Sequence, residues 1–369
     1  MAATNKHIRM NTFFELLQVA LGCRNSLTEP PASREEWEEL FKVTGKHNLL
    51  GVTFPAIDDL HDRTEIPLSI YSRWAMMAEK ISKRNEVQIK TVRSLYAKFL
   101  SDGFRSCLLK GQGAARRYPN PSLRQCGDID IWMEKDRQAI VDYFRTLCPV
   151  KKIVYHHLDA DLIPKMGVEA HFTPTWMNAP GANRRLQRWF ASNAGEQFSN
   201  FDEQLGFCVT TAGFDAVYML IHIYRHVLEE GVGLRQLLDY YYVLRQLTVE
   251  QRVKVWSDLK HLKMTGFTAA VMWVLKEVFA LEEDLMLCRP DPKEGAFLLD
   301  EILRAGNFGR YDPRNAHAKG EGLVAHGRRK VGRALRYFIH YPSEVFWMPF
   351  FILWQYFWRR KHNYLYKGR

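Results

Sequence analysis

Asp128 and Asp130 stand two residues apart in the run CGDIDIWM, residues 126–133. The run is otherwise apolar and rich in β-branched and aromatic residues, so it reads as a strand. Alternation then sends Asp128, Asp130 and Trp132 to one face and Ile129, Ile131 and Met133 to the other. Carboxylates at that spacing lie roughly 7 Å apart at Cα, close enough to converge on a divalent cation. The plain alternative is the solvated face of an edge strand. What weighs toward a cation is LLKGQG, residues 108–113, a short apolar strand running into glycines and then a helix. Such a turn exposes backbone N–H groups and the positive end of a helix dipole, which suits a phosphate. Acids beside a phosphate-holding turn make sense when Mg2+ sits between them.

The elements that must position these residues follow from periodicity. A chain of 369 residues with 47% hydrophobic and 25% charged residues is ordinary globular material. Its six cysteines are scattered, without a CxxC pair, which suits a reducing cytosol and argues against a cysteine-based zinc site. Near the N-terminus, Phe13, Leu16, Leu17, Ala20 and Leu21 fall at helical spacing, so an amphipathic helix is expected there rather than a signal peptide. Ser33 and Glu36 form the sequence of a capping box ahead of Trp37, Leu40, Phe41 and Thr44. A long helix is predicted from about Leu68 to Leu100. Beyond the DID strand come a helix in KDRQAIVDYFRTLC and two strands, KKIVYHHLDADL and KMGVEAHFTPTW, joined near Pro164. Helices resume after about residue 205, over 212–230, 233–247, 249–261 and 264–281.

Strand, glycine turn, helix, loop and Asp-x-Asp strand together resemble the nucleotidyltransferase fold of the DNA polymerase beta superfamily. More narrowly, Lys110, Gly111, Tyr118, Arg124, Asp128 and Asp130 resemble the motif of an uncharacterised bacterial nucleotidyltransferase family. VEAHF at 168–172 resembles that family's Val-Glu-x-His strand, and RHVLEEGVGLRQLLD at 225–239 resembles its Gly-x-Gly-Leu-Arg-x-x-x-Asp segment. The likeness covers roughly residues 100–245, with Gln112 standing where many members of the superfamily carry Ser or Gly. It implies an α/β nucleotidyltransferase-fold core with a small mixed sheet over 85–204, between an N-terminal helical region over 1–84 and a C-terminal helical domain over 205–300. A basic, aromatic-rich tail completes the chain over 301–369. The fold uses a third acid on a neighbouring strand, and Glu169, with His171 on its face, is the candidate. Asp159 and Asp161 read as loop acids.

The expected chemistry is transfer of a nucleotidyl group from an NTP to an acceptor hydroxyl, a small molecule, sugar or protein, with release of pyrophosphate. Two Mg2+ ions are expected on Asp128, Asp130 and Glu169, with Glu169 completing the second site and helping to deprotonate the acceptor. Lys110 and the turn Gly111, Gln112 and Gly113 would hold phosphates. Arg124 either contacts the triphosphate or forms a structural ion pair. His222 and His226 sit at i, i+4 in HIYRH, but Ile223 stands where a zincin carries Glu. A helix face lining the cleft is expected instead, with His226 near substrate. Arg235 and Asp239 are placed to pair along a helix, and the resemblance sets Arg235 close to the cleft.

Net charge is +11, and residues 305–369 hold 13 basic residues against three acidic ones. Almost all the excess is therefore in the tail, which argues against a globally basic nucleic-acid binder. Residues 345–358 carry no charge and precede Arg359, Arg360 and Lys361. A helix of that length reaches about 21 Å, short of a ~30 Å hydrocarbon core. Burial of Trp347, Phe350, Trp354 and Phe357 within the fold is expected. A peripheral membrane contact through 345–361 is the other outcome, and RNA binding through the basic stretch a third. The expected location is cytoplasmic, with the inner membrane surface available to the tail. The competing function is a non-catalytic interaction protein using that tail to dock on membrane or RNA.

Overall fold

A computed structural model describes residues 2–61, 64–315 and 323–364. The basic residues within 316–322 and 365–369 lie outside the described residues.

The chain opens with α1 (Ala2–Ala20), α2 (Arg34–Lys46), α3 (Leu50–His61) and the long α4 (Leu68–Ser101). Ser33 caps α2 by accepting the Glu36 N–H, while the Glu36 carboxylate accepts from Ala32 rather than from the cap residue. Helix α4 buries a stripe at Ile70, Trp74, Ala78, Ile81, Asn85, Gln88, Val92, Leu95 and Phe99, steps of three and four that keep one face inward. The two polar members of that stripe support the site, as shown below.

Strand β1 (Ser106–Leu108) leads to the short α5 (Gln112–Ala115), β2 (Ile129–Met133), α6 (Arg137–Leu147), β3 (Val150–Ile153), β4 (His157–Ile163) and β5 (Met166–His171). These form a five-stranded mixed sheet in the order β1-β2-β5-β4-β3, with only β2 and β5 parallel. One face is apolar. Ile129, Ile131, Leu158, Val168 and Ala170 pack against Val92 and Phe99 of α4 and Ile140 and Phe144 of α6. The other face carries Asp130, His157, Glu169 and His171. Trp132 continues that face but turns into a separate core, against Phe198 and Phe214.

The remaining elements are α7 (Pro180–Ser199), a small hairpin of β6 (Phe201–Asp202) and β7 (Phe207–Cys208), then α8 (Ala212–Glu229), α9 (Leu234–Leu244), α10 (Val249–His261), α11 (Thr265–Phe279), α12 (Pro292–Ala305), α13 (Leu323–Phe338) and α14 (Pro342–Lys361). Helix α7 is not anticipated by periodicity. It buries only Leu186, Phe190, Gln197 and Phe198, too sparse a stripe to stand out from its polar neighbours. The stretch read as one strand, KKIVYHHLDADL, is two: β3 and β4 turn back at Val154–His156, where Val154 N–H bonds the His157 carbonyl. No glycine or proline marks that turn. Asp159 and Asp161 are correspondingly on β4, not in a loop.

The expected burial of the tail is overturned. Helix α14 meets the fold along one stripe, Val345, Met348, Phe351 and Trp358, whereas Trp347, Phe350, Trp354 and Phe357 are exposed. Among the described residues, no helix is long and apolar enough to cross a membrane.

Candidate active site

The turn after β1 is built by Gly111, whose φ of 59° and ψ of −119° suit a residue without Cβ. Gln112 does not face the pocket. Its amide is buried and donates to Asn85 Oδ1 at 3.1 Å and Gln88 Oε1 at 2.9 Å. Those two α4 side chains also hold the loop leading into β2: Asn85 donates to the Ser122 and Arg124 carbonyls, and Gln88 to that of Gly127. Buried amides on an otherwise apolar stripe thus fix the backbone on which Asp128 stands.

Parallel register does the rest. Asp130 lies opposite Glu169, and Ile129 opposite Val168, so Asp128 falls beside Gly167. A Cβ at Gly167 would lie 2.5 Å from Asp128 Oδ1; the glycine makes room for the carboxylate. Asp128, Asp130 and Glu169 line one pocket of about 670 Å3, together with Lys110, His171, His226 and Arg235.

Lys110 reaches into it, with Nζ 3.1 Å from Asp130 Oδ1 and 3.0 Å from His222 Nε2. His222 in turn meets His226, Nε2 to Nε2 at 2.9 Å. On the sheet, His171 Nε2 is 3.3 Å from both Asp130 Oδ1 and Glu169 Oε2. His157 Nδ1 is 3.5 Å from the same Glu169 oxygen, and its Nε2 is 2.8 Å from Asp159 Oδ1. His157 is not anticipated by the sequence, and Asp159, expected in a loop, faces the pocket from β4. Their signal was alternation with Leu158 and Ala160, masked by the unrecognised hairpin before them.

Arg124 realises the structural alternative. It is buried and donates from Nε and Nη2 to the two Asp239 oxygens at 2.7 Å each, while Tyr118 donates to Oδ1 at 2.6 Å. Arg235 is a more distant partner of Asp239, at 3.7 Å. Arg124 therefore ties the β2 loop to α9, and its bidentate grip is on a carboxylate rather than open to a triphosphate.

The electrostatics separate the acids. The protein around Asp128 screens it from water and, with Asp130 and Glu169, holds its carboxyl above the ordinary range although its side chain opens to the pocket. Burial alone would raise Asp130 as well, but Lys110 and then His171 outweigh it and pull it well down. Glu169 is likewise lowered against its burial, chiefly by His171. Burial works against His171, yet Asp130 and Glu169 raise it. His156 and His222 are driven far down, by burial first and then by neighbouring cations and histidines.

The cavity fits a cation. Three like charges converge, and one of them, Asp128, is pushed toward its neutral form by burial and then by the other two. Among the described residues, His157, Glu169 and His171 also offer ligand atoms that all lie within 4.8 Å of one another. Separations of about 3.0–3.4 Å are what octahedral or tetrahedral ligands at about 2.1 Å require, and the contacts of His171 already meet that.

A two-Asp strand beside a glycine turn, with a third acid in register on a parallel neighbour, defines the class. The model of the uncharacterised nucleotidyltransferase family matches residues 33–280, and the chain belongs to that family. An antigenic nucleotidyltransferase-like protein from Paracoccidioides brasiliensis, known from a crystal structure, is similar over 56% of this chain and 94% of its own, at 10% identity and a TM-score of 0.32. No protein with a curated description matches.

Proposed function

We propose that the pocket transfers a nucleotidyl group from an NTP to an acceptor hydroxyl. The observation that carries this is the register of Asp130 with Glu169, with Asp128 set beside them by Gly167 and Lys110 reaching in from the glycine turn. In the reaction the acceptor oxygen forms a bond to the α-phosphorus, the bond from that phosphorus to the β-phosphate oxygen breaks, and pyrophosphate leaves. Asp128, Asp130 and Glu169 would hold Mg2+, which when bound supplies Lewis acidity at the phosphate oxygens. Lys110, poised between Asp130 and His222, neutralises a phosphate. Of the three acids, Asp128 is the one whose side chain is exposed to the pocket, so it is the one placed to meet the acceptor hydroxyl and take its proton. Glu169, held by His171 at 3.3 Å, serves as a fixed negative charge.

His157 and His171 add nitrogen donors to this set. Imidazole favours Mn2+ or Zn2+ over Mg2+, so the half of the site around Glu169 suits a softer ion than the half around Asp128. The test is thermal denaturation with Mg2+ or Mn2+ and each NTP, followed by pyrophosphate release. Asp128→Asn with Asp130→Asn should abolish both responses. A double variant that binds metal and nucleotide as the wild type does would defeat the assignment and favour a non-catalytic module.

A further inference from the structure

Helix α14 has two sides with different jobs. Phe351 stacks on Trp176 and meets Tyr155 edge-on, and Gln355 and Arg359 line the pocket. On the other side Phe346, Phe350, Leu353 and Phe357, spaced at four, three and four residues, form an exposed apolar stripe. Phe350 is 52% exposed, and Leu353 and Phe357 are each 56% exposed. The end of α13 adds Leu335 and Phe338, with Ile339 beyond them at 84% exposure. A run of exposed large apolar side chains along one helix face is the kind of surface that marks an interaction site.

We propose that this face seats the protein on an anionic bilayer, and that the acceptor hydroxyl is carried by a lipid in it. The stripe is apolar where an interfacial helix is apolar, and Trp347, Trp354 and Tyr356 flank it with rings suited to the headgroup boundary. Arg360 and Lys361 stand exposed at its end. The only acid of α14, Glu344, is buried and accepts the Asn178 and Ala179 N–H groups. An antiparallel second copy of α14 would thus bring no carboxylate to these cations, whereas anionic headgroups would. A nucleic-acid strand would need charges along the stripe, and residues 346–358 carry none.

The link to substrate rests on the nucleotidyl-transfer reading. One helix, about 10–12 Å across, separates the bilayer face from pocket-lining Gln355 and Arg359. A soluble acceptor gains nothing from that proximity, while a lipid-borne hydroxyl needs it. The transfer itself is unchanged: acceptor oxygen to α-phosphorus, pyrophosphate out, the proton to Asp128.

The docking test is cosedimentation with vesicles of phosphatidylcholine and phosphatidylglycerol at about 3:1, against phosphatidylcholine alone. Partitioning should be at least about tenfold weaker on neutral vesicles or at about 0.5 M NaCl. Phe350→Glu with Leu353→Glu and Phe357→Glu should abolish it without lowering the melting temperature, and Arg360→Gln with Lys361→Gln should weaken it. Absence of binding to the mixed vesicles, or binding indifferent to the triple variant, overturns docking. A concentration-dependent dimer lost in the triple variant, without vesicle binding, assigns the face to a second copy and overturns it too. For the acceptor, the protein is incubated with α-phosphate-labelled NTPs and vesicles of a bacterial total-lipid extract. Label in the organic phase, lost in Asp128→Asn, supports a lipid acceptor. Label confined to water-soluble product, or none while metal and nucleotide still bind, refutes it. Loss of nucleotide binding itself would instead count against the nucleotidyl reading and leave docking judged by the vesicles.

Discussion

Gly167 offers a test that separates placement from charge. Its substitution by Ala leaves Asp128, Asp130 and Glu169 in place chemically but puts a methyl 2.5 Å from Asp128 Oδ1 and 2.8 Å from its Cγ. An ordinary contact is about 3.4 Å or more, so the carboxylate must swing by about 1 Å. The side chain is exposed to the pocket and is free to do so, and the stability cost should stay under about 1 kcal/mol. Displacing a group that orients a metal ligand by that much typically costs 10- to 100-fold in affinity, or about 1.4–2.7 kcal/mol. The assay is calorimetric titration of Mg2+ or Mn2+ with a saturating NTP, alongside thermal denaturation of the apo-protein. Gly167→Ala should bind one to two orders of magnitude more weakly at an unchanged apo melting temperature. Wild-type affinity in Gly167→Ala, with Asp128→Asn impaired, would refute the idea that the glycine aims this carboxylate.

Asp239→Asn leaves the buried Arg124 guanidinium without its carboxylate, and should cost about 3–5 kcal/mol in urea denaturation; a midpoint within error of wild type would refute the tie. His157→Gln should weaken Mn2+ or Zn2+ binding at least about tenfold and Mg2+ much less, whereas equal losses for all three ions would remove the nitrogen donors from the argument. Stability should fall on acidification. His47 is held down to about 3 by burial and then Lys46, and His156 and His222 are also lowered, so each contributes stability that is full above about pH 6.5 and lost as pH drops. His171 has the opposite sign: its raised pKa gives stability that is full below about 6.5 and lost as pH rises through the folded value. Among the histidines the three lowered groups are shifted further than His171 and leave a net loss between about pH 7 and pH 5, and a denaturation midpoint that rises over that range would contradict it.

The acidic strand, the glycine turn and Glu169 were legible because strand alternation and the apolar run are local properties of a dozen residues. The parallel register that aligns Asp130 with Glu169 is not local, but the alternation of VEAHF was enough to put Glu169 and His171 on one face. Partner choice over long separations was hidden. Helical spacing pairs Asp239 with Arg235, yet Arg124, 115 residues away, takes the bidentate position. His157 was hidden for a different reason, since the hairpin before it turns without glycine or proline. The tail misled because an all-apolar helix looks buried by composition, and composition does not say how many sides the rest of the fold can cover.

The Arg124–Asp239 pair also bears on how the pocket can open. Parting the sheet from α9 would leave a buried guanidinium, its carboxylate and the Tyr118 hydroxyl without one another, at a cost of several kcal/mol. The two halves of the pocket are therefore riveted at the back and cannot breathe apart there at a useful rate. Phe308, Arg310 and Arg359 line the same pocket and take no part in that tie. Phe308 holds a left-handed φ of 55° and lies against His226, ring centroids 5.4 Å apart. A motion that alters access to the pocket therefore costs less at that short segment than by parting the sheet from α9.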